Sequence, residues 1–324
     1  VAVGDSTSVL IYKLVRAAVD ADPSRTEMII DRDNFPTDRF LLQGIAAERG
    51  LTVRWIESER TAGVRLADLD GALGDQTAVV VLSHVAYRSG FLADAEAITA
   101  RVHDAGALIL WDLSHSVGSV PIQLDAWRVD LAVGCTYKYL NGGPGSPAFA
   151  YVRTDLQNRL QQPIWGWMGA DDVFSFAPDY APAPGIRRFL SGTPPILAMQ
   201  PMKLMLELIA EAGMAAIRTK SIGLTERAVA QVDEHLHPSG VQLASPRNPA
   251  ERGSHVTLVH PLFREVTARL WERGVIPDFR APDNLRVGLS PLSTSYAELD
   301  RGIAAIRDAL AELEFDATSN SVSD

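Results

Sequence analysis

The feature that most constrains the fold of this 324-residue chain is a regular alternation of strand-like and helix-like segments over its first two thirds. Several strand-like runs are apolar on both faces, as parallel strands buried between two layers of helices are. With amphipathic stretches between them, they predict a large α/β domain built on a doubly wound, mainly parallel sheet. The predicted strands are residues 27–30, 52–56, 78–83, 107–111, 131–135 and 148–152, and the predicted helices are 8–19, 38–49, 66–73 and 94–104.

The pattern changes in residues 163–195, which are rich in Trp, Gly and Pro and predict a long ordered loop of the kind that often carries function. Short strands and longer amphipathic stretches beyond this loop predict a smaller α+β domain. We therefore expect a large domain over 1–195, a bridging helix and small domain over 196–315, and a disordered polar tail over 316–324. Val1 opens inside an apolar strand-like run, so we also expect that the natural chain continues upstream.

Charge and composition narrow the class of partner. The formal net charge is −10 and the basic residues are dispersed, which argues against nucleic acid and against a membrane surface. The single cysteine, Cys135, allows no internal disulfide and suits a reducing compartment, so we expect a cytoplasmic protein. His235 and His237 have no acidic or cysteine partner at metal-ligand spacing, and we predict no metal site. A small-molecule substrate is the expected partner.

Lysine is scarce, because only Lys13, Lys138, Lys203 and Lys220 are found among the 30 basic residues. Lys138 lies at the predicted end of a strand, followed by a glycine-rich turn at 142–145. One interpretation is a lysine at a strand end beside a plain turn. The other is an amine that bonds covalently to the aldehyde of a cofactor, which arginine cannot do. The scarcity of lysine favours the second interpretation.

An aspartate precedes Lys138 by one βα unit. Asp112 ends the buried run 107–111, and parallel strands present their ligand-binding groups at their carboxyl ends. A carboxylate there would keep a pyridine nitrogen protonated, although an N-cap aspartate of a helix would look the same. The order of Asp112 and then Lys138 in adjacent units is more specific than either residue alone.

Two further stretches follow predicted strands or begin predicted helices. Gly4-Asp5-Ser6-Thr7-Ser8 joins a strand to a helix, where free N–H groups and hydroxyls form a cradle for phosphate; an ordinary N-cap is the simpler interpretation. In the second stretch Phe35 comes shortly before Asp38. The Phe35 ring could stack on a pyridine ring, or it could be a core residue beside an N-cap aspartate.

Together these motifs resemble the kynureninase family. Gly-Asp-Ser-Thr-Ser, Phe-Pro-Thr-Asp, Trp-Asp-Leu-Ser-His-Ser, Gly-Cys-Thr-Tyr-Lys-Tyr-Leu-Asn-Gly-Gly-Pro-Gly, Gly-Trp-Met-Gly and Ser-Gly-Thr-Pro-Pro-Ile occur in the family's order and spacing over nearly the whole chain. The resemblance implies a homodimeric enzyme of fold type I that uses pyridoxal 5′-phosphate (PLP) and has its active site at the subunit interface. It also implies hydrolysis of L-kynurenine to anthranilate and L-alanine in tryptophan catabolism, the kynurenine pathway towards NAD biosynthesis.

The resemblance also implies roles for individual residues. Lys138 would bond to the cofactor aldehyde, Asp112 would lie at the pyridine nitrogen, Tyr137 is the candidate for proton transfer during cleavage, and Arg286 would grip the substrate carboxylate. Trp167 and Thr193 would come from the partner subunit. The implied cofactor-binding set is Ser6, Thr7, Phe35, Asp38, Ser83, Asp112, His115, Tyr137, Lys138, Trp167 and Thr193.

The sequence departs from the family pattern in one motif and leaves alternatives open. Ala170 follows Gly-Trp-Met-Gly where relatives carry His, while Thr193 is similar to the bacterial, kynurenine-preferring type. Kynurenine and 3-hydroxykynurenine are not distinguished. A cysteine desulfurase, an aminotransferase and a non-catalytic PLP-binding homologue are the alternatives; a desulfurase needs a nucleophilic cysteine on a loop, and Cys135 instead lies just before Lys138.

Overall fold

The first domain is organised around one mixed sheet. The computed structural model describes the backbone of residues 1–321 and the side chains of residues 1–316. The seven strands lie in the order β1-β7-β6-β5-β4-β2-β3; β7 runs antiparallel to both its neighbours and every other pair is parallel. The strands are β1 Ala2–Val3, β2 Glu27–Asp31, β3 Thr52–Ile56, β4 Thr77–Ser83, β5 Leu108–Asp112, β6 Leu131–Gly134 and β7 Phe149–Val152. The predicted mainly parallel α/β class is confirmed.

The inner strand β4 shows why the sheet is covered on both faces. Val79 and Val81 belong to one apolar cluster, which they share with helices α1 Thr7–Ala21 and α2 Pro36–Arg49. The alternate residues Val80 and Leu82 belong to a second cluster on the other face, with helix α3 Ala95–Asp104. Successive side chains of a strand point to opposite faces, so an unbroken apolar run needs helices on both sides.

One predicted helix does not form. Residues 66–73 contain only a short 3₁₀ turn over Leu66–Leu69. Gly71 adopts φ +80°, a left-handed conformation that ends helical geometry and that glycine adopts without steric cost.

The second part of the chain builds a small antiparallel sheet covered by helices. The strand order is β10-β11-β9-β8, and α5, α6 and α7 contribute to an apolar cluster with β9 and β11. Strand β10 was not predicted from the sequence. The elements are α4 Ile196–Ala212, α5 Met214–Gln231, β8 Gln242–Leu243, β9 His255–Val259, α6 Phe263–Glu272, β10 Asp278–Arg280, β11 Asn284–Gly288 and α7 Tyr296–Ser321. The division of domains near residue 195 stays a prediction.

The C-terminal end differs from the predicted disordered tail at 316–324. Helix α7 continues through Ser321, and the Asp316 carboxylate accepts a hydrogen bond from Arg269 Nη2 at 2.6 Å. This ion pair links α7 to α6 near the C-terminal end of α7. Residues 322–324 lie outside the described residues. Over residues 1–321, each helix is too short or too polar to cross a lipid bilayer.

Candidate active site

The carboxyl edge of the sheet opens into a cavity of about 340 Å³. Strands β2, β5 and β6 end beside it, and the N-terminus of α1 closes one side. Ligands of doubly wound sheets bind at this edge. Eight of the residues implied from the sequence line the cavity: Ser6, Thr7, Phe35, Asp38, Asp112, His115, Tyr137 and Lys138.

The α1 end of the cavity is suited to an anion. Ser6 caps the helix, and its hydroxyl oxygen accepts a hydrogen bond from the Val9 N–H at 3.4 Å. The first N–H groups of a helix have no partner within the helix, and the helix dipole adds partial positive charge there. Ser6, Thr7 and Ser8 line the same cavity as Lys138. One ligand that carries a phosphate at one end and an aldehyde at the other fits this arrangement.

Two carboxyl groups lie on the inner wall. The side chains of Asp38 and Asp112 are almost fully buried, with residue exposures of 2% and 5%. Asp112 Oδ1 accepts a hydrogen bond from the Ser114 N–H at 2.8 Å, whereas Asp38 Oδ2 has no partner among the described residues. Burial raises the pKa of Asp38 well above its usual range, and the charges of Asp112 and Asp31 add to this. The protonated nitrogen of a pyridine ring would give this buried, partly unpartnered acidic pair a hydrogen-bond donor and a counter-charge.

Lys138 lies in the turn after β6. The strand ends at Gly134, earlier than predicted, and Lys138 Nζ lies 5.9 Å from the centroid of the Phe35 ring. Burial lowers the pKa of Lys138, although the charges of Cys135 and Asp112 act in the opposite direction and raise it. A lysine with a lowered pKa has a larger neutral fraction, and the neutral amine is the nucleophile. The predicted amine is therefore placed opposite an aromatic ring and near the carboxyl pair.

A second cavity of about 270 Å³ shares Lys138 and His115 with the first and contains Arg286. Arg286 Nη1 donates to the Tyr87 carbonyl oxygen at 2.6 Å and lies 3.3 Å from His115 Nε2. A guanidinium only donates, so His115 Nε2 accepts and the ring proton lies on Nδ1. Burial, with the nearby positive charge of Lys138, holds the pKa of His115 well below its usual value. The ring is therefore neutral, as an acceptor must be.

Three residues of the implied cofactor-binding set do not line the first cavity within one chain. Ser83 lies beside it at the end of β4, and its hydroxyl donates to Asn34 Oδ1 at 3.1 Å. Trp167 lines a separate cavity of about 420 Å³ within the 163–195 loop, and Thr193 is exposed. The roles of Ser83, Trp167 and Thr193 stay predictions.

Tyr87 and His255 are among the residues near the site that sequence reasoning missed. Tyr87 packs edge-on against Phe35, with 5.4 Å between ring centroids and 82° between planes. Tyr87 follows the carboxyl end of β4, so the rule that polar groups after a strand form the site could have found it. His255 lies in β9 and lines the second cavity, with both ring nitrogens buried and no hydrogen-bond partner among the described residues. No motif in the sequence marks His255.

Comparisons with known proteins identify the family. A family model described as "Kynureninase C-terminal domain" matches residues 217–306. A kynureninase of Burkholderia mallei is 42% identical over 316 residues, 96% of this chain and 74% of the relative. A kynureninase of Pseudomonas fluorescens is 40% identical over 305 residues, 92% of this chain and 72% of the relative. The chain belongs to the kynureninase family. The family predicted from the motifs is confirmed.

Solved structures agree on the fold. A cysteine desulfurase of Thermococcus onnurineus aligns with a TM-score of 0.81 over 96% of this chain and 79% of that one, at 18% identity. The cystine C–S lyase C-DES aligns with a TM-score of 0.82 over 94% of this chain and 81% of that one, at 20% identity. At these identities the likeness concerns the fold alone, and it confirms the predicted fold type I architecture.

Proposed function

We propose that this protein is a PLP-dependent kynureninase, which hydrolyses the Cβ–Cγ bond of L-kynurenine to give anthranilate and L-alanine. Membership of the family confirms the predicted function and cofactor. The observation that carries the proposal is structural: one cavity joins a helix N-terminus, a buried carboxyl pair and Lys138, and a second cavity adds Arg286. A desulfurase is not favoured, because Cys135 is only 1% exposed. We place the reaction in tryptophan catabolism and the protein in the cytoplasm.

The residues of the first cavity fit PLP. When bound, PLP supplies an aldehyde that accepts amines and a protonated pyridine ring that stores electrons. The N-terminus of α1, with the Ser6 and Thr7 hydroxyls, would hold the phosphate. Phe35 would stack on the ring, and Asp112 with Asp38 would hold the proton on the ring nitrogen.

The chain's own groups then position the substrate and move its protons. Arg286 would bind the α-carboxylate of kynurenine, and Lys138 Nζ would remove the proton from its Cα. Water adds to the Cγ carbonyl as the Cβ–Cγ bond breaks, and Cβ gains a proton. We assign that proton to the Tyr137 hydroxyl. Burial and, to a smaller extent, the nearby Cys135 sulfur raise the pKa of Tyr137 to about 12. The hydroxyl is therefore protonated before cleavage.

A product assay tests the proposed function. The PLP-loaded protein should release anthranilate and alanine in equal amounts from L-kynurenine. The rate of 3-hydroxyanthranilate release from 3-hydroxykynurenine at the same concentration then shows which of the two substrates is preferred. Fluorescence of the aromatic product measures both rates. No release from either substrate by fully loaded protein would indicate a non-catalytic homologue, and sulfide release from cysteine would indicate a desulfurase.

The assembly we propose is a homodimer with the active site at the interface. Helix α4 is largely apolar in sequence but buries only Met202 and Ile209, and its Leu197 is 88% exposed. The 163–195 loop also exposes aromatic side chains, including Phe176. Exposed apolar surface of this kind favours association, and Trp167 would reach the partner's cofactor from it. Sedimentation over a range of concentrations measures the association.

Replacing Arg286 by Lys should raise the KM for kynurenine roughly tenfold or more, while cofactor binding is retained. Lysine keeps the charge but loses the planar pair of N–H donors, and hydrogen bonds to charged groups contribute about 1.5–3 kcal/mol each. Steady-state kinetics and the visible absorbance of the bound cofactor measure the two quantities. Arg247→Lys is the matched control, because Arg247 pairs bidentately with Asp233 at the surface. An unchanged KM in Arg286→Lys would show that the carboxylate is bound elsewhere.

A further inference from the structure

The arginine proposed to bind the substrate already has a carboxylate partner. Arg286 in β11 lies directly opposite Asp278 in the antiparallel strand β10, and Arg286 Nη2 donates to Asp278 Oδ2. The same oxygen of Asp278 lies 2.7 Å from Arg280 Nη2. The role of Asp278 is therefore a question of mechanism: this carboxylate either competes with the substrate for Arg286 or holds Arg286 in place.

The hydrogen bonds of Arg286 leave room for one more carboxylate. A guanidinium has five N–H donors. Two of them, on Nη1, point to the Tyr87 carbonyl oxygen and to His115 Nε2, and one on Nη2 points to Asp278. The Nε donor and the second Nη2 donor have no hydrogen-bond partner among residues 1–316. Two donors are what a bidentate carboxylate pair requires, so the substrate does not need to displace Asp278.

The charge balance and the backbone register also indicate that Arg286 can bind a substrate carboxylate while it stays paired with Asp278. Arg286 and Arg280 with Asp278 carry a net charge of +1, which one substrate carboxylate balances. Burial lowers the pKa of Arg286, whereas the negative charge of Asp278 raises it. The guanidinium therefore has a counter-charge before the substrate binds. The ladder of β10 and β11 places Asp278 opposite Arg286, and Arg280, two residues along β10, contacts the same carboxylate oxygen. The Asp278 carboxylate therefore has two guanidinium partners before the substrate binds.

We propose that Asp278 is a positioning residue for substrate binding. It orients the Arg286 guanidinium so that the Nε and Nη2 donors meet the α-carboxylate of the amino-acid substrate. A long arginine side chain loses rotamer entropy when it binds a ligand, and Asp278, Tyr87 and His115 together remove that freedom in advance. This inference rests on the proposed role of Arg286 as the carboxylate anchor.

The test compares Asp278→Ala and Asp278→Asn with the unchanged PLP-loaded protein. Asp278→Ala should raise the KM for kynurenine about tenfold, with a much smaller change in kcat and full retention of the cofactor. Asp278→Asn keeps an oxygen acceptor of the same shape and should recover most of the affinity. Asp233→Ala, which removes a carboxylate from an exposed arginine pair outside both cavities, should leave KM unchanged.

A second measurement does not depend on turnover. L-Alanine carries the α-amino and α-carboxylate groups of the substrate but not its aromatic ketone, and its binding can be followed through the visible absorbance of the bound cofactor. Its dissociation constant should rise in parallel with KM in Asp278→Ala and recover in Asp278→Asn. If the alanine variant does not fold, the isosteric Asp278→Asn should still bind L-alanine measurably more weakly than the unchanged protein.

The outcomes separate this inference from the proposed function. Tighter binding in Asp278→Ala would mean that Asp278 competes with the substrate, and unchanged binding would mean that it has no role; either result overturns the inference. If Arg286→Lys weakens binding and neither Asp278 variant does, only the positioning role is lost. If Arg286→Lys has no effect, the anchor itself is wrong, and the positioning role is lost with it.

Discussion

Replacing Lys138 by Ala should lower the rate of kynurenine hydrolysis by a factor of about 10³ or more, because proton transfer by a positioned group alone contributes 10²–10⁴-fold. The variant lacks the amine that we propose bonds to the cofactor and removes the Cα proton. No other lysine lines either of the two cavities. Anthranilate fluorescence measures the rate, and borohydride reduction followed by peptide mass analysis locates the covalent cofactor.

Lys220→Ala is the matched control, because Lys220 lies in α5 and outside both cavities. It should retain activity and the cofactor label. A label on Lys13, Lys203 or Lys220 in the unchanged protein would contradict the assignment of Lys138, as would substantial turnover by Lys138→Ala.

Replacing Asp112 by Asn should leave the cofactor bound but lower kcat by about 10²–10³, equivalent to roughly 3–4 kcal/mol at 1.36 kcal/mol per factor of ten. Asparagine has no negative charge to hold the proton on a pyridine nitrogen, so the ring withdraws electrons less strongly. The side chain keeps its shape and can still accept the hydrogen bond from the Ser114 N–H. Cofactor content and single-turnover rates separate loss of binding from loss of chemistry.

Asp75→Asn is a control for a general effect of charge, since Asp75 is exposed in the turn before β4. Asp38→Asn addresses the second carboxyl group of the buried pair. Turnover by Asp112→Asn close to that of the unchanged protein would assign the proton on the ring nitrogen to Asp38 instead.

Much of the large domain could be predicted because the apolar pattern of each buried strand indicates which of its faces are covered. The run 78–83 is apolar at every position except its last, and in β4 Val79 and Val80 belong to clusters on opposite faces. The error at 66–73 has a local cause, because a helical pattern does not reveal a glycine that adopts φ +80°. Strand β10 was missed since three residues of mixed polarity carry no clear periodicity.

The part of the site in the large domain could be predicted for a similar reason, and the part in the small sheet could not. Asp112 ends β5 and Lys138 follows the neighbouring parallel strand β6, so their order along the chain indicates where they meet. Asp278 and His255 come to the site from the small sheet, where only the register of β10, β11 and β9 brings them near Arg286. Neither residue belongs to a recognisable motif. Their proximity is a property of the packed domain and not of the local sequence.

The two cavities have only His115 and Lys138 in common. Apart from Tyr139, the other residues of the second cavity come from β9, β11 and the segment before α7: His255, Arg286, Gly288, Ser290 and Thr294. If the first cavity holds PLP and the second holds the substrate, as proposed, most of the residues that contact each ligand lie in separate parts of the chain. Ser290 and Thr294 line the second cavity alone, so substitutions there are expected to alter the substrate side of the site while the groups proposed to hold PLP stay unchanged.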